Sequence, residues 1–185
     1  AVAEAVAFDV PVIELRTEAE LRRHPALSRL GPDLLAANTD VAEAVARLRA
    51  TGDLPIADAL LRQRALAGIG NVYKSEVLFA CRVHPATSVS RLLDDDIARL
   101  VRTAASQLRL IVGSAKTGTP AEARRRTTGR LNPSERLWVY GRAGLPCLRC
   151  GTPIAVMKMG TGARVTYWCP GCQKTGAGDR GPGTS

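Results

Sequence analysis

Apolar residues recur at helical spacing through the middle of the chain and at strand spacing near its C-terminal end. Val41, Ala44, Val45 and Leu48 fall at i, i+3, i+4 and i+7, which predicts a helix over Asp40–Ala50 with Asp40 as its N-cap. A second helix is predicted over Asp53–Leu66, with Pro55 near its first turn and Leu60 and Leu61 inside. A third follows over Val72–Cys81, where Tyr73, Val77 and Ala80 share a face. The longest stripe, Ile97, Leu100, Val101, Ala104, Leu108 and Ile111, predicts a helix over Asp94–Val112, and Asp94–Asp96 suit its positive N-terminal end. Ala7–Leu15 has strand character, with Pro11 confining it to an edge or a bulge. Arg22–Leu35 carries Pro25, Gly31 and Pro32 and reads as a connector of short turns. Ala121–Arg126 reads as a short helix, Thr127–Pro133 as a loop and Leu137–Gly141 as a strand. The tail, Lys174–Ser185, is Gly-rich and polar and is expected to be disordered.

The strand-like pattern is strongest between two Cys-x-x-Cys pairs. Ile154–Met159 and Arg164–Trp168 are apolar or β-branched runs around Gly160-Thr161-Gly162, which predicts a hairpin with its tip at Gly160–Ala163. Cys147/Cys150 and Cys169/Cys172 flank it, with 18 residues between the pairs. That spacing suits a four-thiolate zinc site, each knuckle giving two sulfurs to a tetrahedron. Four thiolates leave no open position, so the zinc would be structural. The competing arrangement is two disulfides, which needs an oxidising compartment. The opening residues carry no signal-peptide pattern, so a reducing cytoplasm is expected, with Cys81 a buried thiol. Arg164 stands next to the hairpin tip, with Arg142, Arg149 and Lys158 nearby. Such a finger can grip phosphates, and the same arginines can equally be a solvated surface.

Charge placement sharpens the choice of partner. The net charge is +9, and residues 111–185 hold all of it, with 12 Lys+Arg against 3 Asp+Glu, while residues 1–110 balance 14 against 14. A basic half beside a neutral half points to a polyanion, nucleic acid above all. An anionic membrane surface would compete, but the sequence shows no basic helix with a broad apolar face and no apolar run approaching the ~20 residues of a span. The turn Ala67–Asn71 adds a second anion-directed feature. Gly68 and Gly70 permit positive φ, Asn71 stands at or near the cap of the helix from Val72, and a helix N-terminus attracts phosphate. Alone, Gly-x-Gly-Asn is also an ordinary interhelical turn.

These segments together resemble a known family. LLRQRALAGIGNVYKSEVLFACRVHP (Leu60–Pro85) is similar to the helix–two-turn–helix segment of the formamidopyrimidine-DNA glycosylase / endonuclease VIII family. VYGRAGLPCLRCGTPI (Val139–Ile154) and ARVTYWCPGCQ (Ala163–Gln173) are similar to its C-terminal zinc finger, and His24–Leu35 resembles its interdomain connector. The resemblance covers about Asp53 to Lys174. It implies a mainly α fold: a strand and connector over 1–35, a helix–two-turn–helix domain over 36–134, a zinc-bound β-hairpin finger over 135–174 and a tail over 175–185. It implies one structural zinc on Cys147, Cys150, Cys169 and Cys172, with Asn71 and Arg164 as phosphate ligands; Gly70 and Lys74 next to Asn71, and Arg142 in the finger, are expected to bind DNA with them.

Members of that family flip an oxidised base from duplex DNA, cleave its glycosidic bond and nick the strand by β,δ-elimination. Their nucleophile is an N-terminal proline amine followed by glutamate. This chain opens Ala1-Val2-Ala3-Glu4, so no catalytic residue is assigned in it. Ala1–Leu15 is expected to be the last strand of an absent N-terminal β-sandwich. The implied function is the DNA-binding part of a base-excision repair glycosylase/AP lyase, inactive alone. It would act as a monomer on duplex DNA bearing oxidised bases or abasic sites, in the nucleoid-associated cytoplasm. A non-catalytic zinc-finger module for damaged DNA or RNA is the alternative.

Overall fold

The computed structural model describes residues 17–25, 27–117, 126–130, 132–160 and 162–174. The strand expected in Ala1–Leu15 lies outside them, as do all but the last residue of the helix expected over Ala121–Arg126 and all but the first of the tail expected over Lys174–Ser185. Among the described residues the fold is mainly helical: α1 (Glu18–Arg22), α2 (Val41–Arg49), α3 (Ile56–Ala59), α4 (Asn71–Ala80), α5 (Asp94–Thr117), then a hairpin of β1 (Ala155–Met159) and β2 (Arg164–Trp168). The expected helices α2, α4 and α5 form within a few residues of their sequence bounds. Asp40 caps α2, its carboxylate accepting from Glu43 N at 2.9 Å. Arg49 fastens the other end of α2, bonding the Val89 carbonyl at 2.8 Å and Asp94 of α5 at 2.6 Å.

The helix expected over Asp53–Leu66 shrinks to α3 followed by tight turns. The connector bonds its backbone at Gln63 and just beyond its end at Ala67. Gly31 N donates to Gln63 O at 2.8 Å, Ala67 N to Pro32 O at 3.1 Å and Leu34 N to Ala67 O at 3.2 Å. Gly31 makes this approach possible, since a Cβ there would lie 2.5 Å from the Ala65 carbonyl carbon. Gln63 then splints the following turn, its amide bonding Ile69 O at 2.8 Å and Gly68 N at 3.0 Å. Gly68 adopts φ +106°, where a side chain is strained, whereas Gly70 is extended (φ −112°, ψ −177°) and needs no glycine on that ground.

α4 is the centre of the molecule. Every residue from Tyr73 to Phe79 is buried, polar ones included. Tyr73, Val77 and Leu78 join the main core with α2, α3 and α5. Phe79 joins a second cluster with Val139, Cys147, Ile154 and Cys169, and its ring stacks on Trp138 at 5.5 Å between centroids. A helix covered on all sides must satisfy its polar side chains inside the protein. Glu76 does so by accepting from the backbone N–H groups of Trp138 (2.8 Å), Val139 (2.9 Å) and Tyr140 (2.9 Å), and from the Thr127 hydroxyl. That is why the strand expected at Leu137–Gly141 is absent. Three of its backbone donors point at one carboxylate rather than at a neighbouring strand.

Beyond this bend the finger closes on itself. β1 and β2 pair antiparallel in the register Met159↔Arg164 through Ala155↔Trp168. Gln173 latches the finger's end to the helical part, taking Cys169 N at 2.9 Å and donating to Val83 O at 2.9 Å, while His84 packs edge-on against Trp168 at 4.4 Å.

Candidate nucleic-acid interface and metal centre

The four finger cysteines converge on one point. Their sulfurs all lie within 4.8 Å of one another, and none is in a disulfide. Cys150 Sγ is 3.4 Å from Cys169 Sγ and 3.5 Å from Cys172 Sγ, and Cys147 Sγ is 3.9 Å from Cys172 Sγ. Bonded sulfurs would stand about 2.05 Å apart. A tetrahedron with Zn–S of about 2.3 Å has edges of roughly 3.8 Å, so the cage fits one zinc ion. The hydrogen bond with Thr152 holds the exposed Cys150 thiol down at about 6, and burial pushes Cys169 up to about 11 and Cys172 higher still. Zinc binding therefore displaces protons from Cys169 and Cys172. Gly171 keeps the knuckle open, since a Cβ there would meet Thr152 Oγ1 at 2.5 Å and Cys150 Sγ at 3.0 Å.

The hairpin lies along the first turns of α4. Asn71 is the first residue of that helix rather than its cap, and Gly70 precedes it with no side-chain cap. The Asn71 amide is turned to the finger: Nδ2 donates to Val165 O at 3.0 Å, and Oδ1 is buried without a partner. Lys74, one turn on, is fully buried. Its Nζ donates to Thr166 Oγ1 at 2.7 Å and to Val165 O at 3.4 Å. Burial lowers its pKa to about 8, Asp58 working against that shift and Arg164 adding to it. Ser75 extends the seam by accepting from Tyr167 N at 3.3 Å.

Arg164 is exposed and precedes the doubly bonded Val165 carbonyl. By register it shares a hairpin face with Met159 and Thr166, the face that packs toward α4. The Asn71–Val165 hydrogen bond thus sets the Arg164 end of β2 against the first turn of α4, whose first N–H groups have no intrahelical acceptor.

The other expected contacts are placed differently. Arg142 is buried, its guanidinium bonding the carbonyls of Ser134 (2.8 Å) and Pro146 (3.0 Å), so it braces the knuckle rather than facing solvent. Arg149 lies over the rings of Phe79 (4.5 Å) and Trp138 (5.5 Å). Sequence reasoning missed Glu76, Thr166 and Gln173. A signal was there: Lys74-Ser75-Glu76 interrupts an otherwise apolar helix, a polar face that needs partners.

Residues 30–122 match the formamidopyrimidine-DNA glycosylase H2TH domain, and residues 144–175 match a zinc finger found in FPG and IleRS. The chain belongs to the formamidopyrimidine-DNA glycosylase / endonuclease VIII family. Among relatives of this family, a protein named probable endonuclease 8 2 from Streptomyces coelicolor is 45% identical over 171 residues, covering 91% of this chain and 58% of the relative. The crystal structure of the MutM (Fpg) protein of Thermus thermophilus aligns with a TM-score of 0.66 at 32% identity, covering 85% of this chain and 58% of that one. Lactococcus lactis Fpg in complex with DNA containing an abasic site aligns with a TM-score of 0.67 at 27% identity, over 85% of this chain and 56% of that one. The chain thus spans a little over half the length of these family members. No helix among the described residues is long and apolar enough to cross a membrane.

Proposed function

We propose that this chain is the DNA-gripping part of a base-excision repair glycosylase/AP lyase, acting on duplex DNA that carries oxidised bases or abasic sites. One observation carries the reading. The exposed Arg164 is fixed beside the uncapped N-terminus of α4 by the Asn71–Val165 hydrogen bond, which joins residues 94 apart in sequence at 3.0 Å. Two groups suited to phosphate, the arginine and the helix end, are therefore neighbours in the fold, which supports the reading. Gripping the backbone on both sides of a lesion lowers the cost of extruding a base, a cost already smaller for a damaged one. The zinc holds the finger's base and takes no part in chemistry. The clamp is complete in one chain, which supports action as a monomer on the nucleoid. Residues 1–185 are expected to bind without cutting. Lys74, the amine nearest the clamp among the described residues, is buried and hydrogen-bonded, so it cannot reach a sugar C1′.

The test is fluorescence anisotropy with a duplex carrying a tetrahydrofuran abasic analogue, the intact duplex and a matched RNA. Preference for the abasic duplex is expected. Arg164→Ala should weaken binding to any DNA sequence and make the salt slope shallower by about one unit. Equal affinity for the RNA, or an unchanged slope in Arg164→Ala, would sink the reading.

A further inference from the structure

Lys74 is expected from sequence to be a DNA-binding residue, yet its ammonium is sealed between α4 and β2. A buried charge ordinarily has a carboxylate beside it. Here Nζ forms no ion pair within 4.0 Å among the described residues. The acceptors of Nζ are the Thr166 hydroxyl at 2.7 Å and the Val165 carbonyl at 3.4 Å. Both belong to the hairpin segment directly after Arg164. Asn71 reaches the same Val165 carbonyl from one turn earlier on the helix. Two donors from α4 thus converge on one peptide group of β2, the one that follows the residue next to Arg164.

We propose that Lys74 is a positioning residue that never touches DNA: its buried ammonium bolts β2 to the first turns of α4 and so sets Arg164 relative to the helix end. The inference rests on the DNA-gripping reading of the same face. The charged groups facing Lys74 are Asp58 from α3 and Arg164 from β2, while Glu76 of its own helix is occupied with Trp138–Tyr140. Arg164 makes the site more positive, and among the described residues Asp58 offsets it. A phosphate held by Arg164 would add the missing negative charge and strengthen the ammonium's hold on its proton. The complex then binds more protons than the free protein, so affinity falls as pH rises through about 8, where free Lys74 loses its proton. A one-unit rise in the complex corresponds to about a tenfold fall in affinity across that window.

The experiment measures anisotropy of the whole chain on tetrahydrofuran duplex, as a function of salt and of pH from about 7 to 10, for wild type, Lys74→Met, Thr166→Val and the double variant. Zinc content and a cooperative melt are checked first. Removing a buried ammonium also removes its desolvation cost, so Lys74→Met is expected to fold. If it does not, Thr166→Val alone tests the bolt. Each single variant should bind about tenfold more weakly, with the salt slope kept. The double variant should be no worse than either single, because both remove one bond. Wild-type affinity should fall above pH 8, and Lys74→Met should be flat there. A shallower salt slope in Lys74→Met would make Lys74 a direct phosphate contact and overturn the proposal. Additive losses, or unchanged affinity in both singles, would do the same. Failure of the wild type to bind would overturn the DNA-gripping reading itself; binding with unaltered variants overturns only the role of Lys74.

Discussion

Replacing Glu76 should loosen the joint between helix and finger by a predictable amount. Its buried carboxylate accepts from three backbone N–H groups at 2.8–2.9 Å, of which that of Val139 is fully buried, and from the half-buried Thr127 hydroxyl. In Glu76→Gln, one amide oxygen can still serve Val139 and Tyr140. The amide nitrogen then faces Trp138 N–H, donor against donor. The bend loses one buried bond and the ionic strengthening of two others, a cost of about 2–3 kcal/mol. In Glu76→Ala all three N–H groups lose their acceptor. At about 1–3 kcal/mol each, with partial relief from entering water, the cost is roughly 4 kcal/mol or more. That is a large share of the ~5–15 kcal/mol that keeps a domain folded. Urea unfolding followed by tryptophan fluorescence measures it, because Trp138 sits in the bend with Nε1 bonded to Thr127 O at 3.1 Å. The Gln variant should shift the midpoint with an unchanged slope, and the Ala variant should shift it further. Two variants that both stay within about 0.5 kcal/mol of wild type would show that these N–H groups have other acceptors, and the account of the bend would be wrong.

Three further outcomes are expected. Protein purified without added zinc should carry one zinc per chain, and a strong chelator should unfold the hairpin, since metal binding and finger folding are coupled. A metal-free chain with the hairpin intact by NMR would contradict this. Gly171→Ala should lower zinc affinity at least tenfold in a competition with a chromogenic chelator, because its methyl would collide with Thr152 Oγ1 and Cys150 Sγ. Gly31→Ala should cost about 2 kcal/mol or more in thermal unfolding, since the methyl would meet rigid Ala65–Leu66 backbone at 2.5–2.6 Å; a neutral result would mean that the connector shifts freely.

The sequence exposes most of what periodicity and spacing can encode. α2, α4 and α5 follow their apolar stripes, and the hairpin and metal cage follow the cysteine knuckles. What was hidden depends on partners distant in the chain. Leu60–Leu66 has helical composition, and only the Gly31–Leu34 backbone, arriving from thirty residues earlier, turns it into tight turns. Leu137–Gly141 has strand composition, and only the Glu76 carboxylate bends it. Charge misled for the same reason. An arginine in a basic stretch looks solvent-facing, yet Arg142 directs its donors to internal carbonyls, and Lys74, in the charge-balanced part of the chain, does the same toward β2. Only Arg164, of the basic residues assigned to DNA, keeps its exposure.

The placement of Phe79 has a consequence for anyone wishing to exchange fingers between relatives. This side chain belongs by sequence to a helix of the preceding unit, yet it forms a wall of the finger's own cluster with Val139, Cys147, Ile154 and Cys169. A graft cut between the helices and the first cysteine would leave its donor wall behind and import a stranger's. A chimera that keeps this wall must carry α4 with the metal cage, and because Tyr73, Val77 and Leu78 of the same helix line the main core, α2, α3 and α5 must travel with it. Amide exchange should show the same coupling, with the backbone of α4 and of the hairpin opening together as one cooperative block.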